Sequence, residues 1–212
     1  MNILFIESGF YLNFIEGKKM FEIFFTIIGV SWMVFEIVVG KKLHAKKEES
    51  DIQDSNSLIK VKLVIYISIA LGFIFGGAGG IVNETAIFAE EGSRAAWIGL
   101  FVMSIGFLVR IIAIVSLKKF FTVNLAINHE HKLINKGLYR YIRHPSYLGS
   151  ILSFVGMGMA FGNWFSLLFM VIPVTLLFAW RIGLEEKMLI EAFSSEYLEY
   201  KQRSWRLFPG VY

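Results

Sequence analysis

Long uninterrupted apolar runs decide what this chain of 212 residues can fold into. Three of them, near residues 20 to 40, 61 to 82 and 95 to 117, reach the roughly 20 residues that a helix needs to cross a hydrocarbon layer about 30 Å thick. A fourth, Tyr147 to Trp180, is too long for one ordinary helix. Phe161-Gly162-Asn163 divides it into halves of about sixteen residues, roughly 24 Å each at the helical rise, which reads as a short helical hairpin. Runs of this length rich in Leu, Ile, Phe and Ala are helical, since strands that long are improbable. A membrane barrel would instead alternate polarity over segments of about ten residues, and nothing here does. With 56% hydrophobic and only 18% charged residues, against roughly a quarter charged in soluble domains, the chain reads as an all-α, polytopic integral membrane protein with five spans. No internal repeat divides residues 1–212, which form one membrane domain: spans one and two with their connectors over 1–94, and spans three to five with a polar tail over 95–212.

Cytoplasmic loops are enriched in Lys and Arg. Lys41, Lys42, Lys46, Lys47, Lys60 and Lys62 fall between spans one and two, and Lys118, Lys119, Lys132, Lys136, Arg140 and Arg143 between spans three and four. The connector between spans two and three carries Arg94 beside Glu84, Glu90 and Glu91. An outside amino terminus and an inside carboxyl tail satisfy this pattern, with Lys18 and Lys19 counting mildly against it. The net charge of +4 is thus a topology signal spread over loops, and it implies no nucleic-acid partner. Residues 1–17 lack a basic leading region and a small-residue cleavage site, so they read as an interfacial segment and not as a removable signal peptide. Lys41 to Lys60 reads as a solvated loop. Gly72, Gly76 and Gly80 recur every fourth residue within span two, the spacing that lets membrane helices approach closely. The absence of Cys excludes disulfides, thiolate metal ligands and a cysteine nucleophile.

Few residues are left to carry chemistry. Arg110 lies well inside span three, where a charge is expensive and faces a partner, a cavity or a substrate unless it snorkels to the headgroups. Arg181 and Glu185 are four apart on one helix face, which fits an ordinary surface ion pair, while Glu185 and Glu186 together also fit a cationic ligand at the membrane mouth. His144 suits a base or a structural hydrogen-bonding group. It is a poor metal ligand, because His129 and His131 fall on different helix faces and no further spacing completes a metal site. Pro145 suits the first turn of span four. Met188, Leu189, Ala192 and Phe193 form a helical stripe that continues span five into the cytosol.

HKLINKGLYRYIRHPSYLG, then RIGLEE, then FSSEYLEYKQRSWRLFPGVY, together resemble the isoprenylcysteine carboxyl methyltransferase family and its phospholipid methyltransferase relatives, over roughly Arg110 to Tyr212. The first two spans carry no such signature. The resemblance implies an S-adenosylmethionine site on the cytoplasmic side with no Rossmann domain, and S-adenosylhomocysteine as a product. His144, Pro145 and Tyr147 match the family's HPxY cofactor motif, and Glu185 with Glu186 its paired-glutamate motif. Tyr139 and Tyr147 would add aromatic faces and hydroxyls for the sulfonium. Arg110 matches an arginine that looks toward the substrate carboxylate, and Arg181 one in a similar or supporting role.

The reaction implied is methyl transfer to a lipophilic small molecule or lipidated acceptor arriving from membrane lipid. A carboxylate acceptor needs alignment and no base, whereas an amine or thiol would need one, with His144 or a glutamate as candidate. The chain is shorter than eukaryotic members and lacks their acidic run before the tail helix, which fits a prokaryotic protein of the plasma (inner) membrane. Two other classes share parts of the pattern: an NADPH-dependent sterol or enone reductase of the related superfamily, against which the paired glutamates argue, and a non-enzymatic membrane protein.

Overall fold

The structure, a computed structural model, describes residues 2–42, 52–54, 56–76, 92–117, 125–127 and 133–210, with side chains for 16–42, 59–76, 92–117 and 133–210. Five α-helices carry the fold: α1 (Asn2–Lys42), α2 (Asn56–Gly76), α3 (Arg94–Leu117), α4 (Pro145–Ala160) and α5 (Trp164–Gln202). A 3-10 turn, Gly137–Arg140, precedes α4. Among the described residues, four stretches are long and apolar enough to cross a membrane: Glu16–Lys42, Ile59–Gly76, Arg94–Leu117 and Trp164–Gln202. The fifth expected span is α4, which at 16 residues is the short arm of the hairpin.

Two expectations change. Residues 2–17 are not a separate element, because α1 runs as one helix from Asn2 to Lys42. The connector after span one is not all loop. It holds β1 (Ile52–Asp54), which pairs antiparallel with β2 (Leu125–Ile127), Ile52 opposite Ile127. Three-residue strands are too short to leave a periodic trace. Span two is helical to Gly76, while its expected end near residue 82, Gly80, and the His129 and His131 pair all lie outside the described residues.

The hairpin forms where the sequence places it. Gly162 turns the chain with φ 65°, and the Asn163 side chain then caps α5, accepting from Phe165 N at 2.8 Å and Ser166 N at 3.4 Å. At the other end Pro145 occupies the first turn of α4, where its missing N–H costs nothing.

Two glycine seams set the helix spacing. Gly72 and Gly76 of α2 face Met170, Ser166 and Phe161, and Ser166 Oγ donates to Gly72 O at 3.0 Å. The tighter seam joins α3 to α4: a Cβ on Gly156 would lie 2.2 Å from Met103 N, and one on Gly149 2.6 Å from Arg110 N. Such backbone-to-backbone approach is how membrane helices gain packing energy without a hydrophobic driving force. It also fixes Arg110 against the first turn of α4. Trp32, Phe154, Met157 and Phe178 fill the space among α1, α4 and α5, with Trp32 edge-on to Phe154 at 5.6 Å.

Beyond the apolar part of α5 the helix breaks at Ser194, whose φ of 45° and ψ of −117° are not helical. This redirects the last turns so that Tyr197 and Tyr200 are buried.

Candidate active site

The loop before α4 is held by the chain's tail. Ile142 bridges Trp205 in parallel fashion, Arg143 N donates to Trp205 O and Trp205 N to Tyr141 O, both at 2.8 Å, and His144 N donates to Arg206 O at 3.2 Å. Side chains lock the same clasp around Glu186, which is 3% exposed. Arg143 Nε donates to Glu186 Oε1 at 3.0 Å, Arg206 Nη2 donates to Oε2 at 2.6 Å, and Lys201 Nζ lies 3.7 Å from Oε2. Arg143 Nη1 also donates to the carbonyls of Lys201, at 3.2 Å, and of Ser204. A carboxylate buried this deeply is tolerable only with such compensation.

One turn away, a second chain of bonds lines a cavity. Arg181, 3% exposed, donates from Nε to the Tyr147 hydroxyl at 2.8 Å, and that hydroxyl donates to Glu185 Oε2 at 2.8 Å. Where the spacing fitted either a surface ion pair or a ligand site, Arg181 is buried and reaches the Glu185 carboxylate through a phenol. His144 Nδ1 stands 4.0 Å from Glu185 Oε2, while its buried Nε2 has no hydrogen-bond partner and lies 3.5 Å from Glu186 Oε1. Tyr139 is buried on the same wall, its carbonyl accepting from the Tyr200 hydroxyl. Burial, reinforced by Glu185 nearby, pushes the Tyr139 phenol well above its ordinary value, so it stays a protonated donor at neutral pH.

The cavity, about 930 Å³, continues from this polar wall to an apolar one that includes Trp32, Ile65, Phe73, Phe154, Met157 and Phe178. Arg110 lies on it with Glu36 of α1. Glu36 accepts from Arg110 Nε through Oε1 and from Nη2 through Oε2 at 2.7 Å, while Arg110 Nη1 donates to Ser146 Oγ at 2.9 Å. Arg110 does not snorkel. Consecutive residues of α4 thus hold the two arginines, Ser146 holding Arg110 and Tyr147 holding Arg181.

Of the residues expected to act, Arg110, Arg181, Tyr139, His144, Tyr147 and Glu185 line one cavity. Pro145 starts the helix behind that wall, and Glu186 sits in the clasp; neither is among the lining residues. Sequence reasoning missed Glu36, Ser146 and the clasp partners Arg143 and Arg206. The rule that singles out Arg110, a charge inside an apolar run, applies equally to Glu36 in MVFEIVVG. Ser146 and the two clasp arginines carry no comparable signal.

A sequence model of the isoprenylcysteine carboxyl methyltransferase (ICMT) family matches residues 97–191. Residues 97–191 are thus similar in sequence to this family. The chain is 36% identical over 126 residues to a probable protein-S-isoprenylcysteine O-methyltransferase of Oryza sativa subsp. indica, covering 58% of this chain and 66% of that protein. Methanethiol S-methyltransferase 1 of Bradyrhizobium diazoefficiens is 42% identical over 73 residues, 34% of this chain and 24% of the relative. Among solved structures, that of a eukaryotic intramembrane Ras methyltransferase ICMT superposes with a TM-score of 0.53 at 23% identity, covering 76% of this chain and 55% of the other. The chain therefore spans about two thirds of the rice relative and about half of the solved ICMT, and the structural likeness establishes a shared integral membrane fold. The ICMT match begins at Trp97, after α1 and α2, so Glu36 comes from outside it.

Proposed function

We propose that this protein is an S-adenosylmethionine-dependent carboxyl O-methyltransferase of the membrane interface, acting on a lipophilic, isoprenylcysteine-like acid. The observation that carries this reading is one continuous cavity whose wall passes from carboxylate and phenols, through two arginines, to apolar helix faces. Such a cavity suits a polar cationic cofactor at one end and a hydrocarbon chain at the other.

Glu185, Tyr147, His144 and Tyr139 would hold the cofactor. A carboxylate with aromatic faces beside it fits a sulfonium, and the unpartnered Nε2 of His144 leaves a polar atom for a ligand to satisfy. Pro145 and Glu186 support that wall, Glu186 by tying the loop to the tail. The bound cofactor would supply an electrophilic methyl group. Arg110 and Arg181 would orient the acceptor carboxylate, which is ionised at neutral pH and requires no base. Catalysis would rest on alignment and partial desolvation of the reacting atoms. The lysines and arginines of the loops preceding α2 and α4 support a cytoplasm-facing site, and a prokaryotic plasma membrane is the membrane we propose for it.

A thiol acceptor is the second reading, favoured by the similarity to a protein named methanethiol S-methyltransferase. It would require a base, and His144 is placed on the cavity to serve.

Calorimetric titration of the detergent-solubilised protein with S-adenosylhomocysteine, with NADPH in parallel, tests the cofactor. Saturable binding of the first alone is expected, and binding of NADPH alone would make the protein a reductase. Transfer of labelled methyl from S-adenosylmethionine to an N-acetyl-S-isoprenylcysteine, released again as methanol by base, then tests the ester product; base-stable product would sink the carboxyl reading.

A further inference from the structure

Arg110 has five N–H donors, and two edges of its guanidinium can accept a carboxylate in bidentate fashion. The edge formed by Nε and Nη2 is already taken by Glu36, and Nη1 is taken by Ser146. The fork that would orient an acceptor carboxylate therefore grips a carboxylate of the protein itself. Glu36 is delivered by α1, outside the residues that match the family.

We propose that Glu36 is a specificity-determining residue: an acceptor carboxylate takes its place on Arg110, and it returns to Arg110 once methylation has removed the acceptor's charge. This rests on the carboxylate reading given above and assigns the residue that enforces it.

The physical case is one of exchange. The Arg110 side chain is only 13% exposed, and a cation so buried loses several kcal/mol if it is stripped of its anion. An incoming carboxylate replaces one anion by another and keeps Arg110 compensated. A neutral amide, alcohol or ester cannot do this, so Glu36 stays in place against it and the arginine remains closed. Glu36 can leave because its side chain is 26% exposed on the cavity, where Lys41 and Lys62 of α1 and α2 also stand. The methyl ester product carries no charge on the transferred group, so Glu36 regains the fork and the ester loses its strongest polar contact. Discrimination thus lies in a competing internal anion, a repulsive element as well as an attractive one.

The test is calorimetric titration of the full-length protein, saturated with S-adenosylhomocysteine, with an N-acetyl-S-isoprenylcysteine as free acid and as methyl ester. Glu36→Gln removes the competing charge but keeps a hydrogen-bonding group. It is expected to raise affinity for the acid so that the acid-to-ester preference widens at least about tenfold, equivalent to about 1.4 kcal/mol. A merely structural role would weaken both ligands alike and leave the ratio unmoved. An unchanged or narrower ratio, with S-adenosylhomocysteine binding retained, overturns the proposal. If Glu36→Gln loses S-adenosylhomocysteine binding, Glu36→Asp decides, since it keeps the charge and shortens the reach; a smaller widening supports displacement, and an unmoved ratio overturns it. Loss of S-adenosylhomocysteine binding in both variants also overturns it and makes Glu36 a folding residue. Failure of the wild type to bind the acid, while binding S-adenosylhomocysteine, overturns the carboxylate reading as well, whereas acid turnover with an unmoved ratio overturns only the role of Glu36.

Discussion

Tyr147 donates its hydroxyl hydrogen to Glu185 over 2.8 Å and at the same time accepts from Arg181 Nε over 2.8 Å. One phenol therefore sets the position both of a carboxylate proposed above to hold the cofactor and of an arginine proposed to orient the acceptor. Tyr147→Phe takes one hydrogen-bond partner from the buried Arg181, at a cost of about 1–3 kcal/mol, and one from the partly exposed Glu185. S-adenosylhomocysteine affinity should fall about tenfold by calorimetry, and turnover should fall further, because both ends of the site lose alignment. Wild-type affinity in the variant would show that the relay is dispensable.

Arg110→Ala should spare S-adenosylhomocysteine binding, because Arg110 bonds to Glu36 and Ser146 and to none of the residues assigned to the cofactor. Its effect should appear in kcat/KM for an acid acceptor as a loss of about 100-fold, the scale of removing one positioned donor. Loss of cofactor binding would place Arg110 at the wrong end of the site.

Glu186→Ala attacks the clasp. It leaves Arg143 and Arg206 without their shared anion, and breaking a buried pair in this way costs about 3–5 kcal/mol. Faster proteolysis or hydrogen exchange around residues 200–206 should accompany loss of S-adenosylhomocysteine binding. A tail as protected as in the wild type, with binding lost, would show that Glu186 touches the cofactor directly. His144→Ala should also lose binding, but with the tail still protected.

Gly156→Ala would set a methyl group 2.2 Å from Met103 N, where only backbone movement can relieve it. A loss of about 1–3 kcal/mol is expected from overpacking, read as a lower thermal midpoint in detergent. Gly183→Ala, with nothing within 4 Å of its added Cβ, serves as the control and should be neutral or slightly stabilising.

The dependence of turnover on pH separates the two acceptor readings. A carboxylate acceptor, with a pKa of about 3.5, is fully ionised between about pH 6 and 8, so the rate should be flat there. A thiol acceptor near pKa 8.5 would raise the rate about tenfold per pH unit over the same range. Tyr139, held well above its ordinary value by burial, stays protonated throughout that window and adds no slope.

The helices were legible because apolar length and the Phe161-Gly162-Asn163 break are local properties, and the structure turns the hairpin at those residues. Of the six residues that share the cavity, five were legible because the motifs carrying them are short and specific, and Arg110 because it is a charge inside an apolar run. Glu36 was overlooked because α1 bears no family signature, although its charge inside an apolar run was visible. The clasp was hidden more deeply. Arg143 meets Glu186 across 43 positions of chain and Ser204 across 61, and nothing in the local pattern distinguishes Arg143 from the topogenic arginines beside it. The Ser194 break was equally invisible, since serine there fits a continuing helix as readily as a bend.

The bridge between Ile142 and Trp205 also orders events during biosynthesis. Among the described residues, the helices α1 to α5 all precede Ser204, Trp205 and Arg206 in the chain. All five can therefore enter the bilayer while the loop before α4 still lacks the strand partner and the arginine that hold it. The helices can thus stand in the membrane before the loop is clasped, and the clasp waits until residues 204–206 have emerged from the ribosome.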